Sequence, residues 1–509
     1  MNFNRKTPFY RACPMLVALL IATASAHAQT TREQSAARSN AEAEQNEANP
    51  AESAAAVKLL NSKIDRLQLL IEQQQRALTE MQKRLDGLEG RATPSSKNDG
   101  NDVTSADLRT ASIRTTPATI ASQSPSPDKP EAAVAGWGKD HAFLRSADGA
   151  FETHIGGYGQ LDFRGYGSGN HPANTFLLRR ARIALEGKLD RYFDFRIEGD
   201  FADPVTPLRD LYVNVHRIDE FQVRFGQFRV PISQEEMRSD NLQDFVERSL
   251  VNNLVPSRSP GIGASGVIDS GVFEYQVGAW NGKGLLTANN NGTPETAIRL
   301  RFNPWKHGHE FLAKGLIFGG AVTQGRSLGG TSVRGLTESR SVTFFVPDAI
   351  NGKYTRANGE MTWMLGPASI RAEYDQTNQR RDNLGPGGRN LPGVVAKGYM
   401  AQMTYVLTGE EKPEVGVVAP RRNLFGDGNG KEGFGAWELK FRYANLQIDD
   451  STAKSNRAET LFFGTNWYMN RFVRYMLDVG FERFKDPVRT PKPGDNNFFV
   501  VLSRVQVAF

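Results

Sequence analysis

The chain has 509 residues, 10% aromatic yet only 39% hydrophobic, with 49 glycines and one cysteine. Lys and Arg (62) exceed Asp and Glu (56) by 6, a surplus too dispersed to form the basic patch of a nucleic-acid site, so no nucleic-acid partner is expected. The lone thiol, Cys13, lies in the first 28 residues, so the exported product is expected to carry no disulfide, thiolate metal ligand or cysteine nucleophile.

Residues 1–28 read as a secretory signal. Arg5, Lys6 and Arg11 precede the apolar run from Met15 to Ala22, and Ala26-His27-Ala28 supplies the small residues of a cleavage site before Gln29. No later stretch offers the roughly 18 to 20 uninterrupted apolar residues of a membrane helix. Residues 29–56, rich in Ala, Glu, Asn and Gln, lack the large apolar side chains that would offset ordering entropy, and are expected to be disordered.

Residues 57–90 carry a heptad seam. Ile64, Ile71, Leu78 and Leu85 occupy one core position, and Leu60, Leu67, Gln74, Met81 and Leu88 the other. A lone amphipathic helix would show the same stripe, but the polar flanks favour a self-associating coiled coil, placed in the periplasm if the rest of the chain is a barrel. Ile and Leu placement leans towards a dimer, and Gln74 blurs that rule. Residues 91–140, rich in Ser, Thr, Pro and Asn, read as a flexible linker.

From residue 141 to 509 the texture is that of strands broken by Gly, Asn, Asp and Pro turns. In the stretch from Phe193 to Phe201, Phe193, Phe195, Ile197, Gly199 and Phe201 take one face and Asp194, Arg196, Glu198 and Asp200 the other. The alternation recurs at Leu211/Val213/Val215, Phe221/Val223/Phe225, Ile298/Leu300/Phe302, Ile370/Ala372/Tyr374 and Trp437/Leu439/Phe441/Tyr443. A soluble sandwich would also alternate, but some 370 residues of close hairpins are long for one such domain. A membrane barrel accounts for the pattern: the apolar face meets outer-membrane lipid, the charged face meets a wet lumen, and closure pairs every backbone group. The fold class expected is all-β, a transmembrane antiparallel β-barrel of about 16 strands, preceded by the short coiled coil.

By strand parity Arg180, Arg182, Arg196, Arg224, Arg299, Arg301, Arg371, Lys440, Arg442 and Arg504 face the lumen, where guanidinium forks suit phosphate oxygens. Acids on the same face, among them Glu186, Asp194, Glu198, Asp200, Asp210, Glu373 and Glu438, could neutralise them instead. Arg180 and Arg182 sit in the densest basic cluster and are expected at the constriction; parity sends Arg179 outward unless a bulge intervenes. Residues 233–260 lack alternation and are the natural inward loop, carrying Glu235, Glu236, Glu247, Arg248 and Arg258. No catalytic residue, metal or cofactor is expected. His154 and His216 are the histidines at regular lumen-facing positions, with no Ser or Asp motif spaced around them, and His307-Gly308-His309 lies in a turn.

Ten ordered segments carry a resemblance to a known family. They are Leu178-Arg179-Arg180-Ala181-Arg182-Ile183 followed by Gly187, Gly226-Gln227-Phe228-Arg229-Val230-Pro231-Ile232-Ser233, Glu247-Arg248-Ser249-Leu250, Ala279-Trp280-Asn281-Gly282, Phe302-Asn303-Pro304, Gly366-Pro367 with Glu373-Tyr374, Leu407-Thr408-Gly409-Glu410, Gly435-Ala436-Trp437-Glu438, Asn466-Trp467-Tyr468 and Arg504-Val505-Gln506. In these the chain resembles the phosphate-selective porins of the O and P type, from about Gly156 to Phe509. The resemblance implies a 16-stranded homotrimeric barrel in the outer membrane, an inward third loop, and passage of phosphate or related small anions along basic side chains. A weakly selective general pore, an envelope tether and an outer-membrane enzyme are the alternatives. The acids of the inward loop slightly outnumber its bases, which departs from strong phosphate selectivity.

Overall fold

The computed structural model describes residues 133–138, 141–167, 172–204, 208–426, 432–449, 456–485 and 497–509. The signal segment, the polar stretch, the heptad helix and most of the linker lie outside the described residues. Within the segment read as linker, Val134–Trp137 forms strand β1, which pairs with β2 (Ala142–Arg145); β2 in turn lies along the start of β3.

Sixteen strands make the barrel. They are β3 (Phe151–Tyr166), β4 (Thr175–Leu189), β5 (Phe193–Asp200), β6 (Leu208–Ile218), β7 (Phe221–Arg229), β8 (Arg258–Ile268), β9 (Phe273–Trp280), β10 (Glu295–Phe302) and β11 (Leu316–Thr331), then β14 (Ala349–Leu365), β15 (Ala368–Arg381), β16 (Leu391–Val406), β17 (Ala436–Asp449), β18 (Asn456–Tyr468), β19 (Val473–Phe484) and β20 (Asn497–Ala508). A small hairpin, β12 (Gly335–Leu336) with β13 (Thr343–Phe345), interrupts the order between β11 and β14. Each barrel strand runs antiparallel to the next, and β20 returns to β3, from Val500 opposite Tyr166 to Ala508 opposite Tyr158. Phe509 locks the seam by exchanging backbone hydrogen bonds with Gly157. The chain therefore folds as the closed 16-strand antiparallel barrel that its alternation implied, with no strand edge left unpaired around the wall.

The end at which Phe509 sits carries tight turns, such as residues 190–192, 219–220 and 366–367. The last opens on Gly366 at φ +63°, a left-handed conformation glycine adopts without strain. The opposite end carries the long loops, 230–257 and 332–348 among them; the described residues of the long connection between β16 and β17, 407–426 and 432–435, lie at the turn end. Along β16 the alternation is complete: Tyr399, Met403 and Tyr405 are exposed, while Val394, Ala396 and Met400 are buried. Outward aromatics pair across strands, as Trp437 stacks on Trp467 with ring centroids 5.2 Å apart, in the manner of an interfacial girdle.

The lumen is not uniformly wet. On β17 the inward row passes from Glu438, Lys440 and Arg442 near the turn end to Ala444, Leu446 and Ile448 near the loop end; on β20 it passes from Gln506 and Arg504 to Leu502, Val500 and Phe498. Against these apolar positions pack Phe245, Val246, Leu250, Val251 and Leu254 from the 230–257 loop, with Val333, Val342, Phe344 and Phe345 from the 332–348 segment. The loop-end part of the β16–β20 side is thus filled by a hydrophobic core that two inward segments complete, a departure from the charged, water-filled interior expected from the sequence.

Leu250 is fully buried in that core. Leu250→Ala is expected to cost roughly 2 to 5 kcal/mol of loop anchoring while the barrel wall stays closed. Raised and noisier single-channel conductance in planar bilayers, with unchanged heat-modifiable migration in gels, is the expected outcome.

Candidate functional site

Residues 230–257 enter the barrel as a chain of short turns. Ser233 caps helix α1 (Gln234–Met237), its Oγ accepting from the Glu236 N–H at 3.1 Å. Gln234 then pins the helix to the wall: its amide donates to the Ala372 carbonyl at 2.7 Å, and Thr362 donates to its oxygen at 2.7 Å. Two 3-10 turns follow, Asp240–Leu242 and Leu250–Leu254.

The acids of this loop point at the wall. Asp240 meets Arg182 at 2.7 Å, Arg180 at 3.1 Å and the loop's own Arg248 at 2.5 Å. Asp244 meets Arg371 at 2.6 Å, Lys412 at 2.7 Å and Arg238 at 3.0 Å. Glu247 meets Arg179 at 2.5 Å, Arg164 at 2.6 Å and Arg504 at 3.5 Å. Glu235 faces Arg442 at 3.4 Å and accepts from the Ser249 N–H at 2.8 Å; Glu236 lies 3.5 Å from both Arg229 and Arg248. Burial pushes the Asp240 and Glu247 carboxyls up, but the arginines around them outweigh it and hold both well below the usual carboxylate range.

The ten basic residues singled out by parity divide by environment. Arg180, Arg182, Arg371 and Arg442 grip loop acids, and all are almost fully buried. Arg504 binds Asp162 through two hydrogen bonds of 2.6 and 2.8 Å. Lys440 pairs with Asp478 at 2.6 Å, donates to the Asp244 carbonyl, and with Arg442 lies over the Phe245 ring. Arg299 pairs with Glu360; Arg301 pairs with Glu274 and Glu414; Arg196 pairs with Glu186 and Glu198. Arg224 differs: among the described residues it has no carboxylate partner, and its guanidinium lies 4.3 Å from the Tyr212 ring centroid and 5.5 Å from that of Phe228. Arg179 reaches inward because the β3/β4 register slips between Gln160 and Leu161, making it the extra residue of a bulge. Arg258, read as part of the loop, is the first residue of β8 and pairs with Asp210 at 2.8 Å.

Several participants escaped the sequence reading, among them Lys412, Glu338 and Arg229. Lys412 stands in the 407–435 connection and bridges Asp244 to Glu438 at 2.7 and 2.5 Å. Glu338, between β12 and β13, accepts from Arg442 and from Thr460. Arg229 is the last residue of β7 and lies 3.5 Å from Glu236. The unusual length of residues 407–435 was a usable signal for Lys412; Glu338 and Arg229 had none.

Open space remains between the loop and the β5–β9 wall. A cavity of about 250 Å³ is bounded by Met237 and Ser239 of the loop and by Arg196, Glu198, Asp210, Tyr212, Arg224, Phe228, Arg229, Arg258 and Trp280. A second, of about 300 Å³, continues towards the turn end past Glu152, His154, Glu186, Lys188 and Asp194, and Tyr212 and Arg224 border both. His154 and His216 each contact carboxylates, Glu152 and Asp194 respectively, and among the described residues no group of three or more metal-ligating side chains gathers.

Asp240→Ala would leave Arg180, Arg182 and Arg248 buried without that counter-charge, a loss of about 3 to 5 kcal/mol. Trypsin is expected to cut the folded variant at Arg238 or Arg248, sites the wild-type barrel protects. The depressed loop carboxyls contribute stability at pH values above the ordinary carboxylate pKa near 4, lost only as pH falls through their lower folded values. Single-channel noise of the wild type should therefore stay at its neutral level down to about pH 5.

Residues 154–509 match the family described as phosphate-selective porin O and P. Porin O of Pseudomonas aeruginosa is 22% identical over 411 residues, covering 72% of this chain and 90% of that protein. Among solved structures, the anion-selective porin of Comamonas acidovorans aligns at 13% identity and TM-score 0.45, over 70% of this chain and 99% of that one. OmpT of Vibrio cholerae aligns at 11% identity and TM-score 0.47, over 71% and 98%. The family match takes in every one of the sixteen barrel strands but the first residues of β3, together with the inward loop and the passage beside it, and the chain belongs to the phosphate-selective porin O and P family of outer-membrane porins.

Proposed function

We propose that this porin passes small anions, phosphate and polyphosphate-like ions among them, through the passage between the inward loop and the β5–β9 wall. The observation that carries the reading is charge in the open space. Four arginines (Arg196, Arg224, Arg229 and Arg258) border the cavity beside the loop; Arg196, Arg258 and Arg229 are matched by Glu198, Asp210 and Glu236, whereas Arg224 has no carboxylate partner among the described residues, which leaves one unmatched positive charge. Such a site attracts an anion, yet a single unpaired guanidinium at the lumen surface holds it weakly enough to let it leave. On this reading Arg196 and Arg224 meet the permeant, while Arg180, Arg182, Arg371, Arg442 and Arg504 act through the loop they hold. Lys440, Arg299 and Arg301 stiffen the wall. Glu235, Glu236, Glu247 and Arg248 shape the constriction rather than contact the ion.

A general, weakly selective pore is the second reading, favoured by the turn-end cavity, where Glu152, Glu186 and Asp194 outnumber Lys188 and Arg224. The working assembly is taken as a homotrimer, with the heptad seam of residues 57–90 as a self-associating periplasmic arm. The chemistry is passive transport, with the family and fold those of a channel rather than an enzyme.

Reversal potentials across a potassium chloride gradient in planar bilayers separate the readings. Preference for chloride over potassium, with chloride current falling as phosphate is added, is the expected result. Near-equal permeabilities and no phosphate block would leave the general pore. Arg224→Gln is expected to lower anion preference more than Arg180→Gln does.

A further inference from the structure

The space around Arg224 is only half polar. Tyr212, Phe228 and Trp280 form a continuous aromatic face, with ring centroids of Tyr212 and Phe228 6.2 Å apart and those of Phe228 and Trp280 5.4 Å apart, both edge-on. Trp280 lies flat against the wall because glycines stand beneath it. A Cβ on Gly261 would come within 2.6 Å of the indole Cδ1, one on Gly278 within 2.9 Å of Cη2, and one on Gly263 within 3.3 Å of Cζ2. These three glycines let the indole lie on the wall where side chains would otherwise lift it into the cavity.

Two donors in this cavity are unspent. The Arg224 Nε has no hydrogen-bond partner, a state it shares with several other arginines of the barrel, and the buried Trp280 Nε1 has none either; a buried indole N–H is rarely left so without reason. Inorganic phosphate would use the guanidinium but would turn part of its hydrated oxygen shell towards phenyl and indole carbons, where desolvation has no compensation. A flat organic anion fits both halves: a ring packs edge-on among the aromatic side chains while a carboxylate accepts from the Arg224 fork and the indole N–H. The volume of about 250 Å³ lies near the lower limit of small-molecule pockets and admits one ring with one acid group.

We infer that the cavity bounded by Tyr212, Arg224, Phe228 and Trp280 is a binding subsite for aromatic carboxylates, which makes these a permeant class of the pore. This rests on the anion-pore reading and adds the chemistry of the permeant. Arg224 and Tyr212 also border the next cavity, so a molecule leaving the subsite passes directly into the turn-end half of the passage.

The test uses the purified full chain in planar bilayers at neutral pH, with chloride current recorded as benzoate, acetate or inorganic phosphate is added in turn. Benzoate is expected to half-block the current at a concentration about tenfold below that of acetate, a modest stacking increment. Arg224→Gln should raise the half-blocking benzoate concentration about tenfold, and Gly263→Leu, whose side chain would displace the Trp280 and Phe228 rings into the cavity, should bring benzoate and acetate together. Equal block by benzoate and acetate in an anion-selective wild-type channel overturns this inference and leaves the anion pore standing. A cation-selective wild-type channel removes both. The comparison of the two acids on the wild type needs no variant to fold.

Discussion

The pairing of loop carboxylates with wall arginines is the constraint from which the rest of this barrel follows. Arg164, Arg179, Arg180, Arg182 and Arg504 converge on one side of the lumen and would repel one another if left empty. Asp240 and Glu247 could not be buried without them, since isolated charges lose several kcal/mol of hydration in a low-dielectric interior. Each set makes the other tolerable, and the geometry that satisfies both holds residues 230–257 inside the barrel. Asp244 extends the same logic to the far wall through Arg371 and to the turn end through Lys412.

Ion pairs orient the loop, and apolar burial keeps it there. Leu250, Val251 and Leu254 meet Val394, Met400, Leu446 and Ile448, and the 332–348 segment adds Phe344 and Phe345 to the same cluster. Burying such side chains contributes roughly 1.5 to 3 kcal/mol each, a driving force independent of salt, whereas charge pairs alone leave orientation open to screening at their exposed rims. The consequence is spatial. With the β16–β20 side occupied, what remains open lies against β5–β9, where the wall carries glycines at 261, 263 and 278 and aromatic rings instead of aliphatic plugs.

Much of the wall was legible in the sequence because period-two alternation is a local signal. A run such as Trp437-Glu438-Leu439-Lys440-Phe441-Arg442 states both faces without reference to any other strand. The interior filling was written there too, in the continuation Ala444, Leu446 and Ile448 on the face that had carried Glu438 and Lys440; apolar residues aimed into a lumen announce something packed against them. Other features were not local. Which arginine meets which acid depends on register across the barrel, as with Arg504 and Asp162, 342 residues apart. The inward turn of Arg179 depends on one bulge, and the freedom of Arg224 depends on acids that happen to lie elsewhere.

The same distinction resolves the acid excess of the inward loop, which in sequence speaks against attraction of anions. A segment's formal charge sets the potential of a passage only if its charged groups face that passage, because opposite charges a few ångströms apart largely cancel at the distance of a permeant. Here Asp240, Asp244 and Glu247 turn away from the open space and are each matched by at least two cations. The loop's acids thus spend themselves on the wall, and Arg224, outside that network, keeps its charge unpaired where the two cavities meet.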